Sequence, residues 1–166
     1  WGEDGRLQGL LETLGIPHTG SGMLASALSI DKAIAKGVFR SAGLTVPEGV
    51  EVTAAEHVAG DWRAAVAGLR PPFVVKPVIE GSATGMSHAA TVGALDAAPA
   101  NALRYGGRAL VEERVMGVEV TCGVLGTREL VPLPLVELVP RSDVNEYQAK
   151  YDPAAAREIC PARLDS

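Results

Sequence analysis

The stretch PFVVKPVIEGSATGMS, residues 72–87, decides how the rest of the chain is read. Phe73-Val-Val-Lys76 is short, aromatic and β-branched, with prolines on both sides, so it reads as a strand. A lysine at a strand end is ordinarily a solvated edge residue, because lysine is rarely buried without a partner. Residues 79–87 then read as a loop of small residues. Its glycines let the main chain approach a ligand closely. The N–H groups of Gly81, Ser82 and Ala83, with the hydroxyls of Ser82 and Thr84, form an anion-binding nest beside Lys76. The segment is not a P-loop, since GxxxxGK[ST] is missing. On these residues alone, a phosphate cradle and an ordinary surface turn both stay open.

Working outward, Asp4 to Leu14 reads as a helix whose Leu7, Leu10, Leu11 and Leu14 make one apolar stripe. Gly15 and Pro17 stop it. A second helix begins near Met23, and Asp31 is placed to cap a third that carries Ile34, Val38 and Phe39. Gly43 closes that helix, and VPEGVEV (46–52) is extended. Thr53-Ala-Ala-Glu56 is a capping box, which predicts one helix running towards Leu69, where Pro71-Pro72 break it. Residues 92–105 read as helical, with Pro99 interrupting or restarting the helix. ALVEE (109–113) is a strand, and the alternation of Val118, Val120, Cys122 and Val124 predicts another, half-buried. LVPLPLVEL (130–138) pairs with it as a meander, its prolines arguing for an edge position. Residues 141–166 show no period and read as loop. The order predicts a mixed α/β (α+β) fold without internal repeats.

Composition removes several function classes. The chain has 166 residues, 47% hydrophobic and 21% charged, with a formal net charge of −5, the profile of a globular domain. No basic block offers a surface for nucleic acid or anionic lipid. No apolar run approaches the ~20 residues of a membrane span. Cys122 and Cys160 form no CxxC pair and read as free thiols. His18, His57 and His88 are scattered among non-ligand neighbours, so no metal site is expected on them.

Three further features carry candidate chemistry. GSGMLA (20–25) matches G-x-G-x-x-A, but it lacks the preceding strand and the later acid that a dinucleotide fold requires. Glu112 and Glu113 end a strand, where adjacent carboxylates usually face solvent. Glu112 and Glu119 also bracket a short turn, from which they could converge on one polar ligand. Lys150 and Tyr151 in EYQAKY read as surface loop residues.

Taken together, GEDGRLQGLLETLGIPHTGSGMLASALSIDK (2–32), VVKPVIEGSATGMS (74–87), LVEERVMGVEVT (110–121), EYQAKY (146–151) and CPA (160–162) resemble the D-alanine–D-alanine ligase family, over essentially the whole chain. The resemblance implies an ATP-grasp fold, incomplete at both ends. It implies residues 1–20 as the end of a substrate-binding domain, 21–110 as a small ATP-grasp domain with a phosphate lid, and 111–166 as the start of a C-terminal domain. It implies a cytoplasmic bacterial enzyme, a homodimer when complete, that uses ATP and Mg²⁺ to join two D-alanines through an acyl phosphate. Lys32 and Lys76 would hold the ATP phosphates, and the loop containing Glu80, Gly81 and Ser82 would close over them. Glu112 would bind the adenine amino group, the backbone near Val115 would complete the purine slot, and Glu119 would bind the ribose. Ser82 and Tyr151 would orient the D-alanines, with Lys150 near the phosphates.

Two departures stand out. Ala83 takes the place of a second loop serine, and Val144 and Asn145 replace aromatic residues before the AKY block. Lys150-Tyr151 favours a dipeptide ligase over a D-Ala-D-lactate type. An upstream Gly-rich segment, a transition-state arginine and the acidic Mg²⁺ ligands usual in the family have no counterpart in these residues. The expectation is therefore a central piece of a ligase, inactive alone. A non-catalytic nucleotide-binding fragment is the alternative from a different class, and another ATP-grasp carboxylate–amine ligase, such as a D-Ala-D-lactate ligase, is the alternative within it.

Overall fold

The computed structural model describes residues 2–140 and 156–164. The chain divides into two compact units, Trp1–Val115 and Met116–Ser166. Each is described by itself.

The first unit opens with three helices, α1 (Arg6–Thr13), α2 (Met23–Ile30) and α3 (Lys32–Ser41). Asp31 caps α3 as its position predicts, its Oδ1 accepting from the N–H of Ile34 at 3.0 Å. Strand β1 (Gly49–Thr53) follows, and the Thr53–Glu56 capping box starts α4 (Ala54–Ala59). The single helix expected from here to Leu69 is two. Gly60 adopts a left-handed conformation (φ 84°) that ends α4, and α5 (Trp62–Val66) begins afresh. β2 (Phe73–Pro77) comes next, then the loop, then β3 (Ser87–Ala89), a strand too short to show a period. A 3₁₀ turn (Val92–Leu95) and α6 (Ala98–Leu103) occupy the Ala-rich segment, with Pro99 in the first turn of α6, where its missing N–H does no harm. β4 (Arg108–Glu113) completes the unit.

These strands form one antiparallel sheet in the order β1-β4-β2-β3. Its register puts Val75 opposite Val111 and Pro77 opposite Ala109, so Phe73, Val75, Ala109 and Val111 share a face. That face packs with Val52, Trp62, Val66, Leu95, Ala98 and Ala102 into the core.

The second unit is all strand among the described residues: β5 (Glu119–Thr121), β6 (Val124–Leu125), β7 (Val131–Pro132), β8 (Val136–Pro140) and β9 (Ala156–Ile159). The meander is present, with Glu119 opposite Leu138 and Val124 opposite Pro132. Three expectations need correction. The strand through Val124 breaks at Cys122-Gly123, and Val118, Val120 and Val124 are exposed rather than half-buried. β8 is the central strand of its sheet, because β9 pairs with its free edge, and only β7 keeps a proline on an edge. Part of the expected C-terminal loop is therefore strand. Both cysteines are free and exposed. Among the described residues no helix is long and apolar enough to cross a membrane.

Phe73 is fully buried at the centre of the core. Phe73→Ala should lower stability by about 3–5 kcal/mol, read as an earlier urea midpoint at unchanged slope; a shift within error would mean that this core does not hold the unit together.

Candidate functional site

The two faces of the first sheet carry different chemistry. Alternation in β2 and β4 sends Phe73, Val75, Ala109 and Val111 to the core, and leaves Val74, Lys76, Leu110 and Glu112 on the other side. Glu112 lies opposite Val74, so Lys76 is its diagonal neighbour, within reach of a long side chain. Gly49 of β1 is its partner on the other flank. A Cβ on Gly49 would lie 2.8 Å from Glu112 Cγ, so only glycine leaves room for that side chain.

Helix α3 meets this face at three points. Arg108 clamps Glu51 through Nε and Nη2 at 2.6 and 2.8 Å, and Nη1 reaches Asp31 Oδ2 at 2.6 Å. This ties the N-cap of α3 to β1 and β4. One residue on, Lys32 Nζ donates to the carbonyls of Pro77 (3.1 Å), Val78 (3.3 Å) and Glu80 (2.5 Å). One turn further, Lys36 donates to Glu112 Oε1, while Lys76 pairs with Oε2 of the same carboxylate. Glu112 is therefore not solvent-facing, as adjacent strand-end carboxylates usually are; it is only 4% exposed. Glu113 points the other way and is held by Arg70. Nor is Lys76 a solvated edge residue: β2 lies between β4 and β3, and the ammonium is paired.

The electrostatics follow from this packing. Burial acts most strongly on Glu112 and raises its pKa, but the hydrogen bonds from Lys36 and then Lys76 together hold it below the usual carboxylate range. Burial lowers the Lys32 pKa, and the Lys76 ammonium adds to the fall. Lys36 and Lys76 thus pair with one ionised carboxylate, and Lys32, with Glu80 and Glu112 as its nearest counter-charges, lies at the start of the loop.

The loop is fastened at both ends. Lys32 holds its start, and at its end Asn101 Nδ2 donates to the Gly85 carbonyl at 3.3 Å. A Cβ on Gly85 (φ 68°) would strike the Tyr105 ring at 2.6 Å. Between these anchors Ser82 (φ 53°) and Ala83 (φ 58°) are both left-handed, although neither is glycine. Successive residues of this kind cluster at ligand-binding segments. At Gly81 the Glu3 carboxylate of the N-terminal segment lies against the loop, a flexible side chain that could move aside for a Cβ.

The structure brings together Lys32, Lys76, Glu80 and Glu112, with Gly81 and Ser82 in the adjoining loop. Val115 ends the first unit and is exposed. Glu119 opens β5 of the second unit, also exposed. Lys150 and Tyr151 lie outside the described residues. Sequence reasoning missed Lys36 and Glu3. The signal for Lys36 was its spacing, four residues after Lys32 on the same helical face.

The profile of the family described as D-ala D-ala ligase C-terminus matches residues 38–166. The chain belongs to the D-alanine–D-alanine ligase family. The D-alanine–D-alanine ligase of Syntrophobacter fumaroxidans is 46% identical over 165 residues, covering 98% of this chain and 52% of that protein. The D-alanine–D-alanine ligase of Desulforudis audaxviator is 46% identical over 164 residues, covering 98% and 53%. Among solved structures of this family, VanG D-Ala:D-Ser ligase from Enterococcus faecalis superposes with a TM-score of 0.81 at 33% identity, over 99% of this chain and 48% of that one. D-alanine–D-alanine ligase from Bacillus anthracis gives 0.74 at 30%, over 99% and 51%. The expected ATP-grasp architecture is thereby borne out. The chain spans about half the length of the ligases it matches.

A carboxylate whose folded pKa is depressed stabilises the fold above its unfolded value, and the gain is lost as pH falls through the folded one. Wild type should therefore exceed Glu112→Gln in stability above about pH 4.5, the ordinary glutamate value. The gap should narrow in more acidic solution. Urea titrations from pH 7 to pH 3 measure it, and a gap constant with pH would contradict an ionised Glu112.

Proposed function

We propose that this chain contributes the ATP-phosphate site of an ATP-dependent ligase that joins two D-alanines for peptidoglycan. The observation that carries the reading is the pairing of Lys36 and Lys76 with the buried Glu112, with half-buried Lys32 beside them at the start of a glycine loop fastened at both ends. The group holds more positive than negative charge, which suits a polyphosphate. In this reading Lys32 and Lys76 meet the ATP phosphates, and the loop of Glu80, Gly81 and Ser82 covers them with main-chain N–H groups. Each Glu112 oxygen keeps a lone pair beyond its lysine bond, enough to accept from the adenine amino group. Val115 lines the purine slot, Glu119 takes the ribose, and Ser82 with Tyr151 and Lys150 orients the D-alanines.

The reaction is phosphoryl transfer to the carboxylate of one D-alanine, attack on the acyl phosphate by the amine of the second, and departure of phosphate. The residues here supply position and charge neutralisation, which is most of what such transfer requires. The family uses Mg²⁺. Among the described residues no three His, Cys, Asp or Glu side chains gather to hold it, so no step is assigned to the metal. A cytoplasmic homodimer is the assembly this reading implies. Because one matching structure is a D-Ala:D-Ser ligase, competition between D-alanine, D-serine and D-lactate defines the second substrate.

Lys76→Ala in the full-length protein should weaken ATP roughly ten- to a hundredfold, the worth of a charge-assisted hydrogen bond, measured by titration calorimetry. Phosphate release with D-alanine should fall with it. Unchanged ATP affinity would remove the phosphate site from these residues.

A further inference from the structure

Lys76 cannot serve a phosphate without leaving something behind. Its ammonium is paired with Oε2 of Glu112, and that carboxylate is almost fully buried. A buried ionised carboxylate stripped of its partner is strongly unfavourable. Phosphate binding by Lys76 therefore needs a second counterion for Glu112, one that stays in place when Lys76 turns away.

We propose that Lys36 is that counterion, a positioning residue that keeps Glu112 paired so that Lys76 is free to turn from the carboxylate to the ATP phosphates. Three observations support it. Lys36 is buried, 9% exposed, and its ammonium meets Oε1, the oxygen that Lys76 does not use. It faces inward from α3, whose N-cap is locked to the sheet through Asp31 and Arg108, so the helix that carries it is held in place. Lys32, on the same helix face, donates to the carbonyls of Pro77, Val78 and Glu80 and not to Glu112. From β1 the carboxylate meets only Gly49, which brings no charge. Lys36 and Lys76 thus divide one carboxylate between a fixed partner and an exchangeable one.

This inference rests on the phosphate-site reading, and the experiment separates the two. ATP and adenosine affinities are measured for the full-length protein and for Lys76→Ala, Lys36→Met, Glu112→Gln and the Lys36→Met/Glu112→Gln double variant. Without Lys36, Glu112 retains Lys76. Lys36→Met should therefore weaken ATP by about tenfold or more while leaving adenosine within about twofold, since adenosine makes no demand on Lys76. In the Glu112→Gln background the same substitution should change ATP affinity by less than about twofold, because no buried carboxylate remains for Lys76 to be held on. If Lys76→Ala keeps full ATP affinity, the phosphate-site reading fails and this inference with it. If Lys76→Ala loses affinity, three results overturn the role of Lys36 alone. They are unchanged ATP binding in Lys36→Met, equal losses of ATP and adenosine, or a further loss in the double variant relative to Glu112→Gln. Should Lys36→Met fail to fold, the ¹³C carboxyl resonance of Glu112 in the wild-type protein decides. With ATP bound at pH 7 it should remain that of an ionised carboxylate, and a protonated Glu112 would overturn the proposal.

Discussion

A carboxylate buried in the middle of a sheet is unfavourable unless it is paired, and Glu112 is paired twice. Much of the first unit can be read as the means of arranging this. Strand alternation turns Glu112 away from the apolar core, because its neighbour Val111 occupies the core face. The absence of a side chain at Gly49 gives it room. The Arg108 clamp on Glu51 and Asp31 brings α3 to the sheet with Lys36 facing Glu112. Each of these contacts is local. Together they make the fold and the site one structure, since the sheet that buries the core on one side presents the charged group on the other.

The loop uses the same helix differently. Lys32 donates to main-chain carbonyls at the start of the loop, while Tyr105 and Asn101 hold its end. The residues between have left-handed backbone at Ser82 and Ala83, a conformation that side chains disfavour. Fixed ends with a strained centre restrict where the loop can move.

Which parts of this were legible depended on how local the determinant was. Asp31 before α3, the Thr53–Glu56 box and Pro99 in the first turn of α6 are short-range devices, and each acts where its residues suggested. The break at Gly60 was harder to see, since a glycine inside a helical pattern is often tolerated. β3 and β9 have three and four residues and exist through their partners, β2 and β8, rather than through any pattern of their own. The adjacent acids Glu112 and Glu113 look alike in sequence. Alternation separates their faces, but only the placement of α3 over one face makes Glu112 the buried member. Lys36 was overlooked for the same reason: its spacing from Lys32 was visible, whereas the carboxylate it meets lies 76 residues away.

The surplus of charge gives the site a direction. Lys32 is half-buried, and both that burial and the neighbouring Lys76 disfavour its ammonium. Glu80, Glu112 and Asp31 offset part of this, but the Lys32 pKa still falls below its ordinary value. The protein alone therefore holds these ammonium groups at some expense, Lys32 on main-chain acceptors and Lys36 and Lys76 on Glu112. An anion brought beside them relieves the repulsion, and with Lys36 fixed on Glu112 only Lys76 has to turn towards it, so most of the charge is preorganised for the bound state. The same arrangement also selects against ligands that lack negative charge, since these would leave the repulsion in place while excluding the water that screens it.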